Sequence, residues 1–317
     1  MVTGSSAASP RAVEVVEWLI VSVAAENRPT KLRASLPWLR EILVIGVVYM
    51  VYGFVRNQFG SAKLRIGDSP LHSFNNAVRV IDVEEALGLF HEQTIQRWFL
   101  SVDAAGTIHS SWIVTWFNVF YGTAHFIVTL GVLIWLFVRH RSRFGRWRTT
   151  LMATTVLALV GFALFPLMPP RLFNADPATY RYGGGEIAEA RDEPDYGFVD
   201  TLREVGGLWS FDSKKLDSVS NQYAAMPSLH IGWSLWCTVV LWTFARRAWV
   251  RWLGIVYPMC TLLVIVATAN HFIIDALGGV AILAAGYGIA RGLEYVRERR
   301  DTDAPVAEAD ADVLVNS

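Results

Sequence analysis

Six stretches of the chain are long, apolar and nearly free of charge, and polar segments separate them. They fall at 42–55, 110–138, 149–168, 227–245, 252–269 and 272–290, the first reaching back to 38 if Arg40 and Glu41 lie among lipid headgroups. A helix needs about 20 apolar residues to cross the hydrocarbon core of a bilayer. The pattern therefore predicts an all-α integral membrane protein, a bundle of six transmembrane helices. The first stretch is the weakest; the second holds only His125 and the sixth only Asp275 as an interruption. Pro169 and Pro170 close the third, because proline cannot continue a helix. At 69–100 apolar residues recur at helical spacing among charges, which predicts one or two interfacial helices on the outer side. A long extracytoplasmic loop, 169–226, separates spans three and four. It contains Gly183-Gly184-Gly185 and shows no clear period, which makes it a candidate lid.

Charge gives the bundle a direction. Lys31, Arg33 and Arg40 precede span one, and five Arg between 139 and 148 follow span two. Arg246, Arg247 and Arg251 follow span four, and Arg291, Arg297, Arg299 and Arg300 follow span six. With six spans all four clusters share one side, and the positive-inside rule makes that side cytoplasmic. Both termini are then cytoplasmic, and the loops after spans one, three and five face outward, with the plasma membrane as the expected location. The stretch around Trp18 is short and holds Glu14 and Glu17, so it reads as an amphipathic cytoplasmic helix rather than a cleaved signal. The organisation expected is a cytoplasmic amphipathic segment at 1–37, the six-span domain at 38–292, and an acidic, disordered cytoplasmic tail at 293–317.

Composition narrows the classes of function. Of 317 residues 53% are apolar and 18% charged, against about a quarter charged in soluble domains; mean hydropathy is +0.34. Two cysteines cannot build a disulfide scaffold, and Cys237 and Cys260 fall inside spans as ordinary apolar residues. Twenty-eight basic residues balance 28 acidic ones, so nothing marks the chain for nucleic acid. The abundant Trp residues, including Trp233, Trp236 and Trp242, read as packing, lipid-facing or interfacial groups.

Ionisable groups in spans are costly and mark functional sites. Three clusters map to the outer side. Arg171 leaves span three behind the prolines, where it is either an anion ligand or a snorkelling interface residue. Met226-Pro227-Ser228-Leu229-His230 enters span four, with Pro227 expected in the first helical turn. A helix N-terminus there offers free N–H groups to an anion; Ser228 adds a hydroxyl and His230 a proton donor, unless they are only a cap and a core histidine. Asn270-His271-Phe272-Ile273-Ile274-Asp275 forms the turn between spans five and six. His271 and Asp275 are four apart and share a helix face. A carboxylate on one imidazole nitrogen fixes the tautomer and makes the other a better base or nucleophile, unless the pair is purely structural. Together the three suit phosphoryl transfer: Arg and helix end neutralise oxygens, one His attacks phosphorus and the other protonates the leaving group. No metal or other cofactor is needed. A zinc site of His230, His271 and Asp275 leaves Arg171 and Ser228 without a role. A Ser228–His230 hydrolase is poorly placed, since residues two apart diverge on a helix. His125 in span two either lines the cavity or is a satisfied core residue. A proton-path transporter would spread ionisable groups through the membrane depth, whereas these gather at one face.

The motifs Pro169-Pro170-Arg171-Leu172, Ala225-Met226-Pro227-Ser228-Leu229-His230 and Asn270 to Gly279 resemble the type 2 phosphatidic acid phosphatase superfamily. Within it the chain is similar to the inositol phosphotransferase branch, the inositol phosphorylceramide synthases of the aureobasidin-resistance type. The resemblance spans roughly 38–292. It implies His271 as a nucleophile that forms a phosphohistidine, Asp275 as its orienting carboxylate and His230 as proton donor to the leaving group. Arg171 would hold phosphate oxygens, with Ser228 and Asn270 assisting. It also implies membrane lipids as substrates and an alcohol or polyol as a possible acceptor. Departures exist: Leu164, Leu172, Leu229, Val264 and Ile265 stand where the phosphatase pattern has Lys, Pro, Gly, Ser and Arg. Two cations of the usual phosphate cage are thus missing, which points toward the transferase branch; a degenerate, non-enzymatic scaffold is the other outcome such losses permit. Arg181, Arg191, Arg203, Lys214 or Lys215 of the outer loop are candidate replacements.

Overall fold

A computed structural model describes residues 70–103, 108–110, 112–176, 182–206 and 221–315, with isolated positions between 39 and 54. The chain divides into two compact units, Met1–Met50 and Val51–Ser317. In the first, Leu39, Glu41, Leu43, Gly46 and Met50 are helical. The segment expected at 1–37 and most of span one lie outside the described residues, as do Arg181, Lys214 and Lys215.

In the second unit the described elements are α1 (Leu71–Ala86), α2 (Glu92–Arg97), a two-stranded antiparallel ribbon of β1 (Leu100–Val102) and β2 (Ile108–Ser110), then α3 (Trp112–Arg139) and α4 (Arg141–Leu164). Three short helices follow, α5 (Pro170–Phe173), α6 (Gly185–Ala190) and α7 (Thr201–Glu204), and then α8 (Leu229–Phe244), α9 (Ala248–Ala267) and α10 (Ile273–Val315). Among the described residues, four helices are long and apolar enough to cross a membrane: α3, α4, α9 and the Ile273–Arg299 part of α10. The fourth expected span, α8, is apolar but has only 16 residues, about 24 Å at 1.5 Å per residue. It is the inner helix, touching α3, α4, α9 and α10. Its buried Trp236 donates to the Trp147 carbonyl at 2.9 Å, and Trp233 donates to Thr155 Oγ1 at 3.0 Å.

The outer faces are apolar. Ile127, Leu130, Ile134 and Val138 stand exposed along one stripe of α3, as do Leu253, Val256 and Met259 on α9. Such stripes fit a lipid surround. Trp112 and Trp116 are exposed at one end of the bundle and Trp242, Trp249 and Trp252 at the other, as aromatic belts require.

The basic turns meet at a single end. His140, between α3 and α4, lies 4.9 Å from the Phe244 ring at the close of α8, and Arg146 forms a bidentate pair with Glu294 of α10 at 2.7 and 2.9 Å. The opposite end carries a cap of α1, α5, α6 and the 221–226 segment, packed around Phe74, Ile81, Leu167, Met168, Phe173 and Tyr223. The helices expected at 69–100 are therefore present; the ribbon after them was not foreseen, because six strand residues give too short a period to read.

The boundary expected at 293 falls inside α10, whose backbone runs to Val315.

Candidate active site

The site lies at the capped end, where α9 hands over to α10. Ala269 takes a left-handed conformation with φ of 51°, and Asn270 and His271 both donate their N–H to the Ile265 carbonyl. This turn closes α9 and sets the next residues at the start of α10. His271 Nδ1 lies 3.1 Å from Asp275 Oδ2, and the same oxygen accepts from Phe272 N at 3.0 Å. Both side chains are buried. Because a carboxylate only accepts, Nδ1 is the donor, and in the neutral imidazole Nε2 keeps the lone pair.

The start of α8 packs directly against this turn. Ser228 N donates to the Asp275 carbonyl at 3.0 Å. The approach depends on small residues: a Cβ at Gly279 would stand 2.5 Å from the Ser228 carbonyl oxygen, and one at Gly278 2.9 Å from Pro227 Cβ. Ser228 is fully buried and serves as N-cap, its Oγ accepting from Ile231 N. Pro227 precedes that cap rather than sitting in the first turn as expected; Ser228 takes the cap because its short side chain reaches the free N–H groups. His230 points toward the turn, its ring 5.4 Å from that of His271. Tyr121 stacks on it at 4.6 Å and His125 meets it edge-on at 4.4 Å. His125 thus belongs to the site, which its place on α3 alone did not decide; its Nδ1 is 3.0 Å from the Tyr121 carbonyl.

Arg171 is buried, not snorkelling. Its backbone N–H donates to Ala269 O at 2.9 Å. Its Nε donates to Asn270 Oδ1 at 2.9 Å, Nη1 to Asp200 Oδ2 at 2.6 Å and Nη2 to Gln222 Oε1 at 2.5 Å. Asn270 in turn donates to Thr268 Oγ1 at 2.8 Å. Asn270 therefore orients the arginine beside the His271 turn. Asp200 and Gln222 come from the 169–226 segment and no motif in the sequence announced them. Of the loop cations that the structure describes, Arg191 is exposed and Arg203 lies 3.9 Å from Glu204.

Two further carboxyl groups were missed. Glu84 of α1 accepts from Ile274 N at 2.6 Å, and Glu92 of α2 accepts from Ile273 N at 2.8 Å. Both are fully buried. They satisfy the free N–H groups that open α10 and so hold the helix that carries Asp275. Burial first, then a hydrogen bond and charge from Glu92, push the Glu84 carboxyl up to about 9. The folded protein thus keeps a proton that the unfolded chain loses above about 4.5. The stability from this group is complete below that value and declines as pH rises toward 9. We expect the apparent Tm of the solubilised protein to fall by about 5 °C more between pH 6 and pH 9 in the wild type than in Glu84→Gln. Equal pH profiles would show that Glu84 does not titrate in this range.

Beside Ile274 lies an apolar cavity of about 480 Å³, lined by Val80, Val83, Phe165, Met226, Pro227 and Gly278 among others, with Arg79 at its edge. Among the described residues no group of three His, Cys, Asp or Glu side chains is arranged to hold a metal ion.

Fold and site together define a helical membrane protein with a buried polar centre at one end of its bundle. The chain belongs to the PAP2 superfamily, whose family model matches residues 78–289. That membership makes it an integral membrane enzyme of the phosphatase type, acting on phosphate esters. Comparison with curated proteins and with solved structures returns no significant match.

Proposed function

We propose that the protein is a membrane phosphotransferase acting on a lipid phosphate or phosphodiester, similar to the inositol phosphotransferases, through a phosphohistidine at the extracytoplasmic face. The observation that carries this reading is the His271–Asp275 hydrogen bond at 3.1 Å with the His230 ring 5.4 Å away. His271 Nε2 attacks phosphorus, the bond from phosphorus to the lipid alcohol breaks, and His230 gives its proton to the departing oxygen. An acceptor alcohol or polyol then attacks the phosphohistidine, the P–N bond breaks, and His230 takes the acceptor's proton. Arg171, oriented by Asn270, faces the phosphoryl oxygens, and the start of α8 at Ser228 adds N–H groups. The apolar cavity beside Ile274 suits a lipid chain. No metal or cofactor enters this sequence of steps. The Arg-rich turns at the opposite end support cytoplasmic termini; the plasma membrane is the location proposed.

The test uses purified protein in liposomes with phosphate-labelled phosphatidylinositol, phosphatidic acid or a polyprenyl diphosphate, each with and without an alcohol acceptor. Label moving to a new lipid or polyol is the expected result. Free phosphate alone would make the protein a lipid phosphate or isoprenoid diphosphate phosphatase, and no turnover of any donor would overturn the enzymatic reading.

A further inference from the structure

The one arginine that the motifs supply to this site is already paired. Arg171 and Asp200 form a 2.6 Å ion pair in which both side chains are at least nine-tenths buried. Asp200 is not on a loose loop. On one side of it, Val199 exchanges two hydrogen bonds with the Gln96 side chain, both 2.9 Å. On the other, Thr201 Oγ1 donates to Asn118 Oδ1 at 2.9 Å, and Asn118 Nδ2 donates to the carbonyls of Thr201 and Gly206 at 2.8 and 2.7 Å. Gln96 and Asn118 are both buried. Two side-chain amides thus clamp the strap on either side of Asp200. The carboxylate is a built-in counter-charge to Arg171.

Among the described residues, that sets the charge around Arg171. Arg171 offers hydrogen bonds but, with Asp200, no net charge. The His271–Asp275 pair adds a negative charge whenever the imidazole is neutral. A phosphate monoester carries about −1.5 to −2 charges at neutral pH, whereas a diester carries one. In a buried site each additional charge weighs heavily.

We infer that Asp200 is a specificity-determining residue: by neutralising Arg171 it favours a singly charged phosphodiester donor over a doubly charged monoester. This assignment rests on the phosphotransferase reading above. It places the discrimination on a residue of the outer loop that touches Arg171, away from the histidines that make and break bonds.

The experiment compares phosphatidylinositol and phosphatidic acid of matched acyl chains, both losing the same diacylglycerol, with full-length protein in liposomes. The readout is the ratio of kcat/KM for diester over monoester. Asp200→Asn keeps an acceptor for Arg171 Nη1 but removes the charge, and the ratio falls by about tenfold or more, chiefly through faster monoester turnover. Asp200→Glu keeps the wild-type preference. Gln222→Glu adds a second negative charge on Arg171 and raises the ratio, which tests the idea even if Asp200→Asn fails to fold. An unchanged ratio in both Asp200→Asn and Gln222→Glu, with turnover retained, would overturn the assignment while leaving the phosphotransferase intact. No turnover of either donor by the wild type would overturn the phosphotransferase and the assignment with it.

Discussion

Replacing His271 with Ala should abolish turnover, lowering kcat/KM by about ten-thousandfold or more, the scale seen when a catalytic triad loses a member. The expectation follows from how little else could replace it. His271 is the imidazole with a carboxylate on Nδ1, held by a turn in which Ala269 adopts φ of 51° and Asp275 also accepts from Phe272 N. Among the described residues no carboxylate pairs with His230; it is packed among the rings of Tyr121, His125 and His271. The two histidines are therefore separable by leaving group. A donor whose leaving group is a stable anion, such as p-nitrophenolate, needs no proton. With it, His230→Ala should still capture labelled phosphate covalently, while with a lipid alcohol as leaving group the same variant should be slow. His271→Ala should capture no label from either donor. Covalent label in His271→Ala would move the nucleophile elsewhere and sink the assignment. Asp275→Asn should fall between, by about a hundred- to ten-thousandfold, because the imidazole loses both its tautomer and its orientation.

Much of this site could be read from the chain because short motifs carry it. His271 and Asp275 sit four apart, and Ser228 and His230 open a helix, so local geometry alone brings each pair to its place. Four of the spans were legible for a similar reason: the stretch of a helix that crosses lipid must be apolar, as α3, α9 and the apolar parts of α4 and α10 are. What stayed hidden depends on long-range contact. Glu84 and Glu92 reach Ile274 and Ile273 across 190 and 181 residues, and no local pattern marks a carboxyl group that caps a distant helix. Asp200 and Gln222 lie 29 and 51 residues from Arg171 in a loop without periodicity. His125 was visible as an ionisable group in a span, but only the crossing of α3 and α8 brings it to His230. Ser228 shows the reverse limit: the same pattern that suggests an anion ligand also specifies a helix cap, and it is found buried as the cap.

Arg171→Ala carries the second large effect, and it should show in stability as well as in activity. Arg171 donates to Asn270, Asp200 and Gln222 and ties its own backbone to Ala269. Removing the guanidinium strands the Asp200 carboxylate in a buried place with no counter-charge, a loss of about 3–5 kcal/mol for such pairs. For a chain of this size that corresponds to a fall in apparent Tm of roughly 10 °C. Arg171→Lys should recover only part of it, since one ammonium cannot reach three acceptors set in a fork. The double variant Arg171→Ala/Asp200→Asn separates scaffold from chemistry. It leaves no uncompensated charge where this pair stood, so most of the lost stability should return. Activity should not return, because the phosphoryl oxygens still lack their hydrogen-bond donor; removing one such donor from a preorganised site costs about a hundred- to a thousandfold in rate. If the double variant regained both Tm and turnover, Arg171 would be a structural pillar of the Asp200 strap, and the contact with phosphate would have to be sought on another cation.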